Sequence, residues 1–304
     1  MGKGGAWSIG FGKYEGKLSP ENLLKNINIY SHEELKKLND STRFLADPFF
    51  VKEQDTIYVF FEHQKLAKNA VISLLTSVDG KNFSYKGQVL KEEFHLSYPQ
   101  VFKYRGTYYM LPETKKSNHV LLYKSYNFPY DWRICDTLLK NIKLKDPSIY
   151  LSDSLNIMVA SDNNLTLYMY EADSLFGDWK PHSKAIVSRG LESRAAGGFF
   201  VDEGKLILPV QNSTKGYGYG VSLYQYNFNK GNYTTQRLSH LFLKSQDTIE
   251  EFGNGMHHVH IQKIDGQYHY VLDGNIKLEG KGVWNFTGPF KWNWVDLMNW
   301  VNNL

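Results

Sequence analysis

The sequence predicts an all-β, five-bladed β-propeller with four-stranded blades, and three features predict it. A polar or charged residue followed by an apolar run, a turn and an aromatic-rich second run recurs five times. The recurrences are anchored at Asp47, Tyr98, Asp146, Arg194 and about His258, roughly fifty residues apart with a longer last step. Aromatic residues make up 15% of the 304 positions, mostly 21 Tyr and 18 Phe, which favour strands over helices. A fixed period of this length, with four strand-like runs per unit, is the signature of radially repeated small sheets.

The elements follow in chain order. Residues 7–11 alternate and suit a short strand, while Ser19-Pro20-Glu21 and Ser31-His32-Glu33-Glu34 read as capped starts of short helices. Residues 1–40 are therefore an approach segment. Unit one pairs residues 46–51 with 56–62, then adds 71–75 and 83–86 across the hairpin signal Asp79-Gly80. Unit two pairs 97–102 with 107–113 and adds 120–123 and 132–134. Unit three pairs 146–150 with 155–160 and adds 165–170 and 177–182. Unit four pairs 194–200 with 204–211 and adds 220–226 and 233–236. Unit five pairs 256–261 with 266–272 and has only 282–286 to follow. The strand at Trp7 is expected to supply its missing outer strand and close the ring. The propeller then spans 41–290, and 291–304 is a tail, expected as an amphipathic helix with its tryptophans packed on the barrel.

Composition narrows the partners. A formal charge of +4 with scattered Lys and Arg shows no nucleic-acid footprint. The single cysteine, Cys135, permits no internal disulfide and reads as a strand residue. No stretch reaches the ~18 apolar residues of a membrane span. The N-terminus lacks the apolar core of a secretory signal, so a cytoplasmic location is expected.

In a propeller the first strand of each blade lines the central channel, so residues at its start converge at one mouth. Asp47, Tyr98, Asp146, Arg194 and His257 or His258 hold corresponding places, and Glu62, His63, Glu113 and Gln211 end the second strands. Two carboxylates, an arginine and histidines on one pocket are costly unless paired, which points to function. Paired carboxylates are what glycosidic bond cleavage needs, one as acid and one as base or nucleophile. Plainer roles stand beside these. Asp-Pro suits a turn, Glu113 a solvated strand end, Glu192 the rim, and His95 and Tyr98 either sugar contact or channel packing. Arg194 suits an anionic group or merely neutralises Asp47 or Asp146. His257, His258 and His260 alternate faces, and no spacing among them demands a metal.

Asp47-Pro48, Asp146-Pro147-Ser148 and Met256-His257-His258-Val259 resemble motifs of the five-bladed furanosidase and xylosidase propellers of glycoside hydrolase family 43. That resemblance implies a first-blade Asp as general base, a third-blade Asp tuning the acid, and a fourth-blade Glu as the acid. It also implies a fifth-blade His at a central ion or water, which makes His257 the candidate ligand of a channel calcium ion. No cofactor is otherwise required. Glu192 departs from the pattern, since Glu192-Ser193-Arg194 stands where Glu-Gly-Pro is usual.

A closer resemblance is to the propeller preceding the transferase domain in plant glucosamine inositolphosphorylceramide transferases, also found beside bacterial formyltransferase-like domains. It is carried by residues 44–49 (Phe-Leu-Ala-Asp-Pro-Phe), 95–102, 108–114, 179–182, Arg194-Ala195-Ala196-Gly197, Gln211 and Tyr217-Gly218. Ala195 stands where proline is usual. Glu192 is not part of this pattern, which moves the acid candidacy to Glu113 or Glu62. The expected activity is glycosidase-like cleavage or transfer of a glycosidic bond. Asp47 would be the base, Asp146 the orienting residue, Glu113 the acid with Glu192 as runner-up, and Glu62, His63, His95, Tyr98, Arg194, Gln211 and His258 the binding residues. A glycosyltransferase of surface-polysaccharide or glycolipid synthesis, a non-catalytic glycan-binding module and a protein-interaction platform are the alternatives.

Overall fold

The computed structural model describes residues 6–276 except 26, 40 and 67. Five antiparallel sheets of four strands each form the blades. Blade one runs Thr42–Glu53, Thr56–Lys65, Val71–Ser77 and Ser84–Leu90 from the inner strand outward. Blade two is Ser97–Tyr104, Thr107–Glu113, Val120–Asn127 and Tyr130–Leu139, and blade three Lys145–Leu151, Asn156–Ser161, Thr166–Glu171 and Lys180–Arg189. Blade four is Phe200–Asp202, Lys205–Asn212, Gly220–Asn229 and Asn232–Lys244.

Blade five corrects one expectation. Its first two strands, Val259–Ile264 and Gln267–Asn275, come from the C-terminal side, and Trp7–Tyr14 takes the third place rather than the outer one. The outer place belongs to Asn28–Tyr30. Trp7–Tyr14 pairs along its whole length with Gln267–Asn275, from Trp7 opposite Asn275 to Tyr14 opposite Tyr268. Much of the first forty residues is thus part of the ring, covering the edge of Gln267–Asn275 and leaving the short strand Asn28–Tyr30 as the outer edge of blade five. The strand expected at 282–286 and the tail at 291–304 lie outside the described residues.

The two short helices form where their caps predict. Ser19 caps Pro20–Leu24, and Ser31 with Glu34 makes a reciprocal capping box on His32–Leu38. Leu23 and Leu35 are their fully buried anchors. One apolar cluster runs from Phe49 and Phe60 of blade one through Met110 and Val159 to Leu208 of blade four. Each of these side chains is removed from water, worth about 1.5–3 kcal/mol apiece.

A repeated backbone device sets up the site. In blade one the register passes from Ala46↔Glu62 to Phe49↔Phe60, so Asp47 and Pro48 together oppose the single residue Phe61. Blade two does the same with Tyr98-Pro99, and blade three with Asp146-Pro147. These are β-bulges, which re-aim a side chain at the cost of a ladder bond. Asp47, Tyr98 and Asp146 carry φ values of 50°, 50° and 48°, left-handed backbone that a residue other than glycine adopts only under constraint. Blade four answers with Gly197 at φ 145°, where a Cβ would sit 1.9 Å from the Val259 carbonyl oxygen. Only glycine permits that approach of blade four to blade five.

Candidate active site

The bulges and the ends of the second strands bring a cluster of ionisable groups together. Arg194 grips Asp146 with two parallel donors, Nε on one carboxylate oxygen and Nη2 on the other at 3.1 Å. Burial works to raise the Asp146 carboxyl, but the guanidinium outweighs it and holds the group below the usual carboxylate range. Glu113, at the end of the second strand of blade two, lies beside Asp146 and stands 3.9 Å through Oε2 from the same Nη2. Burial first, and then the neighbouring Asp146 carboxylate, push Glu113 up to about 8, so it keeps its proton at neutral pH.

Asp47 sits between these extremes. Burial raises it to about 7, with Asp146 and Asp273 adding to the effect and His257 opposing it. Glu62, in register with Ala46 beside the bulge, is also raised, by burial and then by Asp47 and Glu113. His95, on the connection leading into blade two, reaches Glu62 with Nε2 3.3 Å from Oε1. Buried Asp47 Oδ1, Glu113 Oε2 and Gln211 Oε1 have no hydrogen-bond partner.

The structure therefore gathers Asp47, Glu62, Glu113, Asp146, Arg194 and His95, with Gln211 beside Arg194 through its N–H on the Arg194 carbonyl at 2.8 Å. His257 and His258 close the group, 3.4 and 3.7 Å from Asp47 Oδ1. Three sequence candidates sit elsewhere. Glu192 faces blade four, accepting from Tyr224 at 2.6 Å, Asn212 at 2.8 Å and Arg237 at 3.1 Å. Burial would raise it, but hydrogen bonds from Ser222, Tyr224 and Arg237 hold it below the usual range, away from the cluster. His63 points to the other face of its strand and bridges Thr42 Oγ1 at 3.0 Å and Ser73 Oγ at 3.1 Å. Strand alternation makes it impossible for Glu62 and His63 to share the pocket. Tyr98 is fully buried, its hydroxyl accepting the Gly197 N–H at 2.8 Å and lying 2.7 Å from Ser148 Oγ. It takes the channel-packing role, between Phe49 and His258.

The donor set does not fit calcium, which takes six to eight oxygen ligands. Among the described residues, Asp47, His257 and Asp273 are the group close enough to share an ion. Asp273 is already occupied: it accepts the backbone N–H of Asp47 at 3.0 Å, of His257 at 3.2 Å and of His258 at 3.0 Å. His257 Nδ1 adds a fourth bond at 2.8 Å. A carboxylate so filled is hydrogen-bonded structure, not an open ligand.

Asp273, Trp7 and Tyr217 belong to the site and were not among its predicted residues. Asp273 was legible in principle, because Val271-Leu272-Asp273 ends its second strand with a carboxylate as Phe60-Phe61-Glu62 and Leu111-Pro112-Glu113 do. Trp7 arrives only through ring closure, packing on His257 at 4.2 Å between ring centroids. Tyr217 is 45% exposed and lies on a loop whose Gly218 (φ 78°) lets the chain sit against Trp7. Its ring faces the Arg194 guanidinium at 5.8 Å.

Residues 25–275 match the family described as Glucosamine inositolphosphorylceramide transferase 1, N-terminal. The chain belongs to this family. It is 32% identical over 250 residues to Glucosamine inositolphosphorylceramide transferase 1 of Oryza sativa subsp. japonica, covering 77% of this chain and 33% of that protein. The Arabidopsis thaliana protein of the same name is 33% identical over 189 residues, 58% of this chain and 25% of that one. The chain thus spans about a third or less of these relatives. In fold it is similar to a thermostable family-43 glycoside hydrolase, with TM-score 0.57, 14% identity and coverage of 81% of this chain and 96% of that one. It is likewise similar to an alpha-L-arabinofuranosidase from Podospora anserina in complex with cellotriose, with TM-score 0.59, 13% identity and coverage of 89% and 98%. Among the described residues no helix is long and apolar enough to cross a membrane.

Proposed function

We propose that this pocket acts on a glycosidic bond by general acid–base chemistry. The observation that carries the reading is the unlike surroundings of three neighbouring buried carboxyls: Arg194 grips Asp146 with two donors, stands 3.9 Å from Glu113, and leaves Asp47 to face His257 at 3.4 Å. Asp146 is fixed as a carboxylate by Arg194, Glu113 keeps its proton at neutral pH, and Asp47 titrates near neutrality. Carboxyls driven apart by their surroundings are the arrangement in which one donates and another accepts. In this reading Glu113 protonates the leaving oxygen, and Asp47 takes the proton of the attacking hydroxyl or water. Asp146 orients Arg194 and keeps Glu113 protonated. Arg194, His95, Gln211 and the exposed ring of Tyr217 bind the sugar.

The names of the relatives, which describe transfer of a glycosyl unit to a lipid acceptor, support carbohydrate as the substrate class. They also favour an acceptor other than water. The test is a screen of aryl glycosides and glycans on wild type beside Asp47→Asn, reading binding and product separately. Product from wild type and at least a hundredfold less from Asp47→Asn, with binding retained, supports the reading. Equal binding by both without product, with or without an activated sugar donor, overturns it in favour of a glycan-binding module.

A further inference from the structure

The joint between the last and first blades carries a polar chain that the reading above leaves unused. Asp273, fully buried near the end of Gln267–Asn275, accepts the Asp47 N–H on Oδ2 at 3.0 Å, across 226 residues of sequence. Its other oxygen takes the His257 and His258 N–H groups and His257 Nδ1 at 2.8 Å. His257 Nε2 then faces Asp47 Oδ1 at 3.4 Å. The imidazole cannot swing away, because Trp7 lies against it at 4.2 Å and Tyr217 at 5.2 Å. Asp47 itself is held at φ 50° before a proline, a conformation that persists only where the surroundings fix it.

We infer that Asp273 is a positioning residue that locks the Asp47 bulge and orients His257 as the proton-bearing partner of Asp47. The inference rests on the assignment of Asp47 as the base, but its geometry and its test do not require turnover. When Asp47 ionises, the imidazolium stands beside it with Nε2 3.4 Å from Oδ1, and Asp273 balances the charge from behind. Burial opposes that cation, yet Asp273 and then Asp47 outweigh it, so His257 is raised above its ordinary value. His258 is the contrasting neighbour: Nε2 meets the Pro48 carbonyl at 2.9 Å, and burial lowers the ring to about 4. The groups facing Asp47 are Glu62 of blade one, Asp146 of blade three, Arg194 of blade four, and His257, His258 and Asp273 of blade five.

The test is a titration of ¹⁵N-histidine-labelled protein between pH 5 and 9, with the His257 signal identified by its loss in His257→Asn. Wild-type His257 is expected to titrate above the ordinary imidazole value. Asp273→Asn should lower its midpoint by at least one pH unit, a tenfold loss of proton affinity. Asp47→Asn should lower it by less, and serves if Asp273→Asn fails to fold. A neutral His257 across the range in wild type, or a midpoint unmoved in the folded variants, overturns the inference. Absence of wild-type turnover overturns the proposed function instead and leaves this result standing. Where turnover is found, Asp273→Asn should move the pH profile of kcat with KM nearly constant, whereas a purely structural role would lower activity equally at every pH.

Discussion

Replacing Glu113 with glutamine should make the protein more stable, and increasingly so as pH rises. An ordinary glutamate ionises near 4.5, but in this fold Glu113 keeps its proton to about 8. Between those values the folded chain binds a proton that the unfolded chain has released, so stability falls as pH increases. At 1.36 kcal/mol per pH unit, the interval from 4.5 to 7 costs the fold about 3 kcal/mol. Glutamine has the same shape, carries no charge to desolvate, and offers an N–H toward the Asp146 carboxylate. Urea unfolding of wild type and Glu113→Gln at pH 4.5, 7 and 8.5 measures the difference. The two should be nearly equal at pH 4.5, and the variant should lead by about 2–3 kcal/mol at pH 7 and by more at pH 8.5. In thermal melts at pH 7 this is a rise of roughly 3–5 °C for a chain of this size. A gap that fails to widen with pH, or a variant less stable at pH 8.5, would refute the assignment of an uncompensated buried acid. The same substitution should abolish acid catalysis, the usual exchange of stability for function at such a site.

Three further outcomes follow from the same contacts. Arg194→Ala leaves Asp146 buried without its cation and should cost about 3–5 kcal/mol in denaturant unfolding at pH 7, with Arg194→Lys recovering only part because lysine lacks the two-pronged geometry. Glu192→Gln should leave turnover unchanged while costing about 1–3 kcal/mol at neutral pH. Its carboxylate is held below the ordinary value by its donors, so that loss is full above the ordinary glutamate range and should disappear as pH falls through the lower value of the folded protein. Gly197→Ala puts a Cβ 1.9 Å from a carbonyl oxygen at φ 145°, and should lower the melting temperature sharply or prevent folding.

Five blades of four strands were legible because each blade must bury two apolar strands and turn, and that requirement writes a period of about fifty residues into the chain. The same period exposed Asp47, Asp146, Arg194, Glu113 and Glu62, since polar residues at matching strand ends converge in a ring. Local caps fixed the two helices by short-range bonding alone. What sequence could not order was anything decided by partners far along the chain. Trp7 enters the site through pairing with residues more than two hundred and fifty positions away, and Asp273 through a bond to Asp47 across the closure. Glu192, the runner-up acid, turned toward Tyr224 and Arg237, and His63, next to Glu62 in sequence, turned to the opposite strand face. Periodicity determines which residues share a rim. Burial and the nearest counter-charge, which exist only in the closed ring, decide which of them keeps its proton and which gives it up.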